Sequence, residues 1–412
     1  MKVLLVHNEY QQLGGEDQVF DDDGRLLEEH GHVVSRYTVH NDTIRGMTRL
    51  QLARTTVWST HAYRALRDLV RRERPDVAHF HNTLPLVSPA GYYAVRGEGV
   101  PVVQTLHNYR LLCPNALLFR DGHPCEECVG KAVPWPAVQH ACYRQSTAAT
   151  AAVATMLTLH RAAGTWRRRV DLYATPSEFT RRKFIEGGLR AEHVVVKHNV
   201  LHPDPGVGPG DGGYVAFVGR LVKEKGVLTM LAAWERWALG DALPLVIVGD
   251  GPLAPDVARA AERIPGVSWM GRRPSAEVQA VLARARCLLL PSEWYETFGR
   301  VVAEAFAAGT PAVVSSGGAH SELVEHGRTG LVFRPGDADD LARRLREELQ
   351  HAQGFGRMRA AARAEYVAKF GGAANVRTLL DIYTRAIARH AADTPRRWRT
   401  STFAGVQTGG EG

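Results

Sequence analysis

One unit recurs through most of this chain: a short apolar run, then a stretch with helical spacing. KVLLVH at residues 2–7 opens the series, and the spacing from Phe20 to Glu29 predicts an amphipathic helix before a second strand at His32–Tyr37. PDVAHFHN from Pro75 and VPVVQTLHN from Val100 each read as a strand ending in His-Asn. This places His81 and His107 at carboxyl ends of parallel strands, where open α/β sheets bind ligands. VDLYATPS from Val170 and EHVVVKHN from Glu192 read as the last strands of a first domain, and the Pro/Gly-rich HPDPGVGPGDGG, His202–Gly213, reads as a linker. The unit then restarts at YVAFVGR, LPLVIVGDG, GVSWMG, CLLLPS, PAVVS and GLVF, with helical patterns at 226–238 and 275–285 among them. A chain of 412 residues exceeds what one core usually holds. The expected fold class is α/β, with two doubly wound Rossmann-like domains, 1–205 and 206–372, facing an interdomain cleft. A long helix at 373–392 and a disordered tail at 393–412 complete the reading.

The segment PSEWYETFGRVVAEAFAAGTPAVVS, 291–315, carries the densest chemistry. LLLPS reads as a buried strand, and Val301, Val302, Ala305 and Phe306 as a helix ended by Gly309 and Pro311, with Thr297 as its N-cap. Free amides of Phe298, Gly299 and Arg300 at such a helix start favour an anion, and a diphosphate is a natural guest. Glu304 would then stand roughly 8–12 Å from Glu296, about the reach from the sugar of a nucleotide sugar to its ribose. Each glutamate also has an ordinary reading, one as a dipole partner and the other as a solvated mid-helix residue. Against the second stands the apolar, Ala-rich helix around Glu304, where a carboxylate needs a partner.

Bulk properties exclude several classes. No segment approaches about 18 continuous apolar residues, so neither a signal peptide nor a membrane span is expected, and a cytoplasmic setting follows. The net charge of +8 is rich in Arg and looks like the product of a high-GC bacterial genome more than a nucleic-acid binder. Its basic residues fall in short clusters: Arg71, Arg72 and Arg74, then Arg167–Arg169, then Arg181, Arg182 and Lys183. Solvated faces are the plain reading of these clusters; contact with anionic lipid headgroups at the inner face of a membrane is the sharper one. The Asp21–Asp23 run at a helix start reads as a solvated charge cluster, and His7 and His79 as histidines packed at strands.

Taken together, the Glu-x7-Glu element at Glu296 and Glu304, GRLVKEKG at 219–226, LVIVGDGPL and HGRTGLVF resemble the family 4 glycosyltransferases with the GT-B fold. The resemblance runs from Lys2 to about Ala392. It implies a final helix crossing back to the first domain, and retaining transfer of a sugar from a nucleotide diphosphate sugar, UDP before GDP, to a hydroxyl acceptor. Arg220 and Lys225 would bind the diphosphate and Glu304 the ribose. Glu296 and the amides of Thr297, Phe298, Gly299 and Arg300 would lie at the sugar and phosphate, with Gly271 and Arg272 at the base. In the first domain, Gly14 and Gly15 resemble the family's glycine loop beside the donor, and His107 a histidine that touches the transferred sugar. KHNVLHPD from Lys197 departs from the family's usual turn before the linker. Cleaving a sugar from a diphosphate needs cations and a helix start more than a strong base, so no cofactor is expected for catalysis. Arg220 would offer a planar fork to phosphate and Lys225 a point charge.

Cys113, Cys125, Cys128 and Cys142 lie together after His107, within an insertion at about 109–146, while Cys287 stands alone in a strand. In a reducing compartment such a group points to a structural zinc, with His123 or His140 as substitute ligands and packed free thiols as the alternative. The insertion lies where GT-B enzymes shape the acceptor pocket, and Tyr109 and Arg110 are the candidate acceptor contacts. The acceptor class stays open among polysaccharides, lipid-linked intermediates and secondary metabolites. A nicotinamide dehydrogenase would need G-x-G-x-x-G after a first strand, and HNEYQQLGGE does not supply it. A nucleotide-sugar-binding protein or an epimerase on the same fold is the alternative that remains.

Overall fold

The computed structural model describes residues 1–11, 14–351 and 353–393; the tail expected to be disordered lies outside them, except for Asp393. In the first half, the strands are β1 (Lys2–Glu9), β2 (Val33–His40), β3 (Val77–Phe80), β4 (Val102–Thr105), a small hairpin of β5 (Phe119–Arg120) and β6 (His123–Pro124), β7 (Leu172–Thr175) and β8 (Val194–Val196). The second half contributes β9 (Val215–Val218), β10 (Leu245–Val248), β11 (Val267–Trp269), β12 (Cys287–Leu290), β13 (Ala312–Ser315) and β14 (Gly330–Phe333). Two six-stranded parallel sheets result, ordered β2-β1-β3-β4-β7-β8 and β11-β10-β9-β12-β13-β14. Central strands such as β3 and β12 are buried at every residue, which is why their sequences read as unbroken apolar runs.

In each sheet the strand order reverses beside the first strand, between β1 and β3 and between β9 and β12. Crevices open at such switch points outside the carboxyl ends of the strands. The first sheet sends His7 and Asn8, His81 and Asn82, and His107 and Asn108 to this edge; the second sends Gly219 and Arg220 and the segment Pro291–Gly299. The two edges face one another.

After the second sheet the chain returns to the first. The last helix, Gly372–Asp393, buries Leu379, Ile382, Tyr383 and Ala386 against Val3, Leu5, Val77, Val103 and Leu172 of the first sheet. It covers a face that would otherwise expose a sheet of valines and leucines to water, so the first domain is complete only once the final residues have folded onto it. The hydroxyl of Tyr383 also reaches the Nδ1 of the buried His79 at 2.9 Å. Leu379 is wholly buried. Leu379→Ala should destabilise the first domain by about 2–5 kcal/mol, read as a lower urea midpoint with an unchanged slope.

Candidate active site between the two sheets

Glu296 is held by the second domain's own cation. Lys225, in a turn after β9 that ends at the left-handed Gly226, places Nζ 2.5 Å from Glu296 Oε1, and Ser292 donates to the same oxygen at 2.7 Å. Gly226 has to be glycine, since a Cβ there would lie 1.9 Å from the Pro291 carbonyl oxygen. Burial alone would raise the Glu296 carboxyl, but the Lys225 ammonium, helped by His320 and Ser292, outweighs it and holds the group at about 2. Beneath the pair lies His320, fully buried, its Nε2 3.0 Å from Ser315 Oγ. Burial pushes its imidazole down to about 4, although Glu296 pulls the other way.

The helix that follows starts at Arg300, so its cap lies two residues beyond the expected Thr297. Gly299 is its N-cap, in the left-handed region at φ 90°, and a Cβ there would press on His320 at 3.0 Å. Thr297 fails as the cap because it serves the domain interface instead. Its Oγ1 donates to the His107 carbonyl at 2.9 Å, and its own carbonyl accepts from Ser177 and Thr180, each at 2.9 Å. Phe298 is buried against Phe370.

Arg300 spans both domains. Its Nε donates to Glu304 at 3.0 Å, its Nη2 to Asp22 of the first helix (Gly15–Glu29) at 3.0 Å, and its Nη1 to the Val200 carbonyl at 3.3 Å. The Asp21–Asp23 run is therefore not a solvated cluster. Asp21 is exposed, but Asp22 meets Arg300, and Asp23 is bound through both oxygens by the buried Lys197 at 2.7 and 2.9 Å. The helix presents these neighbours to the cleft because its partners are cations supplied from 174 and 278 residues along the chain, a pairing no local pattern reveals.

Behind the first sheet's edge lies a histidine network. His81 Nδ1 is 3.0 Å from His107 Nε2, and His81 Nε2 stands 3.9 Å from Asp23 Oδ2. His79 is bonded through both nitrogens, to Tyr383 and to Thr105. Asp23, His79 and His81 bring ligand atoms within 4.8 Å of one another, yet the Lys197 ammonium already holds the carboxylate and both His79 nitrogens are engaged, so this is not the donor set of a metal. Burial first, then the neighbouring charges, drives His79 down to about 3 and His81 and His107 well below the ordinary imidazole range. A cavity beside His107 is walled by His81, Asn82, Arg110, Leu111 and Trp166.

The remaining expected residues divide. Gly14 caps the first helix, and a Cβ on Gly15 would come 3.9 Å from Arg300 Cδ, so the glycine loop does lie against the Arg300–Glu304 pair. Arg220 is exposed, 3.8 Å from Glu224. Gly271 adopts φ 70° and accepts from the Gly249 amide at 2.9 Å, with Arg272 exposed beside it. Arg110 lines the cavity. Tyr109 does not: it is fully buried, stacked near Phe184, with its hydroxyl 3.5 Å from the Glu296 carbonyl, so it props the domain seam and is out of an acceptor's reach. His320, Ser292, Asp22, Asp23, Lys197 and the His81 link are additions to the expected set. The one sequence sign among them was the departure at Lys197, where a polar residue closes an apolar strand.

Comparison with known proteins now adds to this geometry. Residues 14–204 match the model described as Glycosyltransferase Family 4, and residues 212–351 that described as Glycosyl transferases group 1. The chain belongs to the family 4 glycosyltransferases. A glycogen synthase of Mycobacterium tuberculosis is 33% identical over 196 residues, 47% of this chain and 46% of that protein. The 2-deoxystreptamine glucosyltransferase of Streptomyces kanamyceticus is 29% identical over 267 residues, 63% of this chain and 64% of that one. The match thus spans about half the length of the first of these curated relatives. HepE of Anabaena, solved in complex with UDP, superposes with a TM-score of 0.66 at 19% identity, over 93% of this chain and 100% of its own, which fixes the GT-B fold.

Two predictions follow for this family 4 chain. Removing Arg300 leaves the buried Asp22 with only the more exposed Arg25, which donates to its other oxygen at 2.7 Å, so Arg300→Ala should cost up to about 3 kcal/mol, and pairing it with Asp22→Asn should recover part of that, as a double-mutant cycle in urea would show. The second concerns acid. A buried histidine with a depressed pKa stays neutral when folded while the unfolded chain takes up a proton near 6.5, so its stabilisation is complete above that pH and is lost as pH falls toward the folded value. For His79 and His320 the window runs from about 6.5 to about 3 and about 4, at up to about 1.4 kcal/mol per pH unit for each. Glu296 adds its own loss only below the carboxylate range, toward about 2. The melting temperature should fall steadily from pH 6.5 to 4.5; a flat profile there would contradict the neutral network.

Proposed function

We propose that this protein transfers a sugar from a nucleotide diphosphate sugar to a hydroxyl acceptor with retention of the anomeric configuration. One observation carries the reading: the Lys225–Glu296 pair and the Arg300–Glu304 pair stand on the second sheet's edge, and Thr297 between them is bonded to the backbone of His107 on the first. Donor and acceptor groups held across such a seam would meet in one enclosed place. UDP is favoured as the nucleotide over GDP, in keeping with HepE, which was solved with UDP and with UDP-glucose.

In this reading Glu304 holds the ribose hydroxyls, and the Gly271 turn with Arg272 flanks the base. The diphosphate lies against Lys225, Arg220 and the amides of Gly299 and Arg300, with Gly14 and Gly15 closing over it. Their task is to stabilise the charge that grows on the departing phosphate. Bound donor would draw Lys225 away from an exclusive pairing with Glu296, and the carboxylate, ionised throughout the neutral range, would then face the sugar. The acceptor oxygen bonds to the anomeric carbon as the carbon–phosphate oxygen bond breaks, on the same face, and the acceptor proton passes to that phosphate oxygen. His107, neutral and fixed through His81, orients the sugar beside the developing positive charge. The acceptor enters on the first domain's side, past Arg110. No cofactor takes part.

Because the acceptor class is open, the test begins with the donor. Purified protein is screened with UDP-, GDP- and ADP-sugars for thermal stabilisation, then for release of nucleoside diphosphate. Lys225→Ala should lower kcat by about 100-fold with a smaller change in KM, whereas Glu304→Ala should act mainly on donor KM. A protein that binds nucleotide sugar but never releases nucleoside diphosphate, with or without candidate acceptors, would be a binding protein and the proposal would fail.

A further inference from the structure

The site described above makes no use of the four cysteines that follow His107. We propose that Cys113, Cys125, Cys128 and Cys142 hold one zinc ion as a tetrathiolate, which cross-links the irregular segment between Tyr109 and Ser146. All four line a single small cavity, closed by Phe119 and Ala137, and none is in a disulfide. They arrive from four separate turns. Cys113 follows the turn closed by its own amide on the Tyr109 carbonyl at 2.9 Å; Cys125 leaves the β5–β6 hairpin, its amide on the Leu118 carbonyl at 2.8 Å. Cys128 lies in the next turn, and Cys142 follows the short helix Trp135–Gln139, its amide on the Ala137 carbonyl at 3.0 Å.

This segment has little else to hold it. Its regular structure is two strands of two residues and one helix of five, and Ala116, Leu118, Asp121, Ala141, Arg144 and Gln145 all sit at positive φ without being glycine. Small irregular units of this kind are commonly stabilised by disulfides or a metal. A zinc ion at about 2.3 Å from each sulfur sets the sulfurs roughly 3.8 Å apart. Among the described residues no three of these thiols are mutually within 4.8 Å, so binding draws the turns inward around the ion. His123 and His140 are exposed, while Cys113 and Cys128 are buried, which favours the thiols over either histidine as ligands.

Charge supports the same assignment. Four thiols lose four protons to solvent as four sulfur–zinc bonds form, leaving a site of net charge −2. Arg161 is half-buried next to the segment and has no carboxylate partner among the described residues; its guanidinium instead binds the carbonyls of Lys131 at 2.6 Å and Leu111 at 2.7 Å. A dianionic cluster gives this cation a counter-charge. Because Leu111 and Arg110 also wall the cavity beside His107, the ion would fix the acceptor side of the cleft. That last consequence rests on the transferase reading; the metal site does not.

The full chain, produced in zinc-supplemented medium and kept reduced, should carry one zinc per chain by elemental analysis. Replacing it with cobalt should give the intense thiolate-to-metal absorption and the visible bands of four-sulfur tetrahedral coordination. Cys125→Ser and Cys128→Ser should lose the metal, and Cys287→Ser, whose thiol lies in β12 of the other domain, should keep it. Absence of zinc together with absence of cobalt–thiolate bands would overturn the proposal, as would metal retained by both of the first two variants or a native mass showing two disulfides. If those variants do not fold, the cobalt spectrum of the wild type decides alone. Stabilisation by UDP measured on the same samples reports the donor site separately, so failure of either reading is seen independently of the other.

Discussion

The two domains are joined most consequentially by one side chain. Arg300 places a single guanidinium between Glu304 of its own helix, Asp22 of the first domain's first helix and the carbonyl of Val200 at the start of the connection between domains. It is only 15% exposed, so its two carboxylates are screened little by water. Charges in such a place are costly unless each finds a partner; Arg300 serves both carboxylates, and Arg25 donates to the other oxygen of Asp22 at 2.7 Å. The residues just before it complete the site: Gly299 is left-handed, Thr297 bonds to the His107 carbonyl, and Glu296 pairs with Lys225.

That constraint explains what could be read from the sequence. The strands β1, β3, β4 and β9 to β14 announce themselves because a parallel sheet buried on both faces demands unbroken apolar runs, and the linker at His202–Gly213 announces itself by its prolines and glycines. Lys225, Glu296 and Glu304 were singled out because GRLVKEKG and the Glu-x7-Glu element each lie within one short stretch of the second domain. Asp22, Asp23 and Lys197 were not. Lys197 and Asp23 are 174 residues apart, and nothing near either one marks it as half of a buried ion pair. Thr297 shows the converse error: its residue type suits a helix cap, but a hydroxyl that can bond across the domain seam is drawn there, and Gly299 caps the helix with backbone geometry alone. Tyr109 followed the same course, an aromatic beside a catalytic candidate that proved to be packing.

The last helix imposes a second long-range condition. By returning to cover β1, β3, β4 and β7 it makes the first domain depend on residues beyond the second, and its Tyr383 reaches into the histidine network through His79. Network and fold are therefore coupled: the side chains that keep His79 neutral are those that seal the sheet.

The network also sets the proton arrangement at His107. Among the described residues His81 Nε2 has no hydrogen-bond partner, but it lies 3.9 Å from the Asp23 carboxylate, which favours the tautomer with its proton on Nε2. His81 Nδ1 is then an acceptor, so the 3.0 Å contact is made by His107 donating from Nε2. A neutral His107 that donates from Nε2 carries its lone pair on Nδ1, for which the described residues supply no hydrogen-bond partner. Lys197 reinforces this, since an ammonium so near disfavours a second positive charge among the histidines. A fixed acceptor at this place can take a hydrogen bond from a sugar hydroxyl and stabilise positive charge growing nearby, yet it has little capacity to keep a proton. In the proposed reaction, the Lys197–Asp23–His81 chain would make His107 an orienting dipole and not a base.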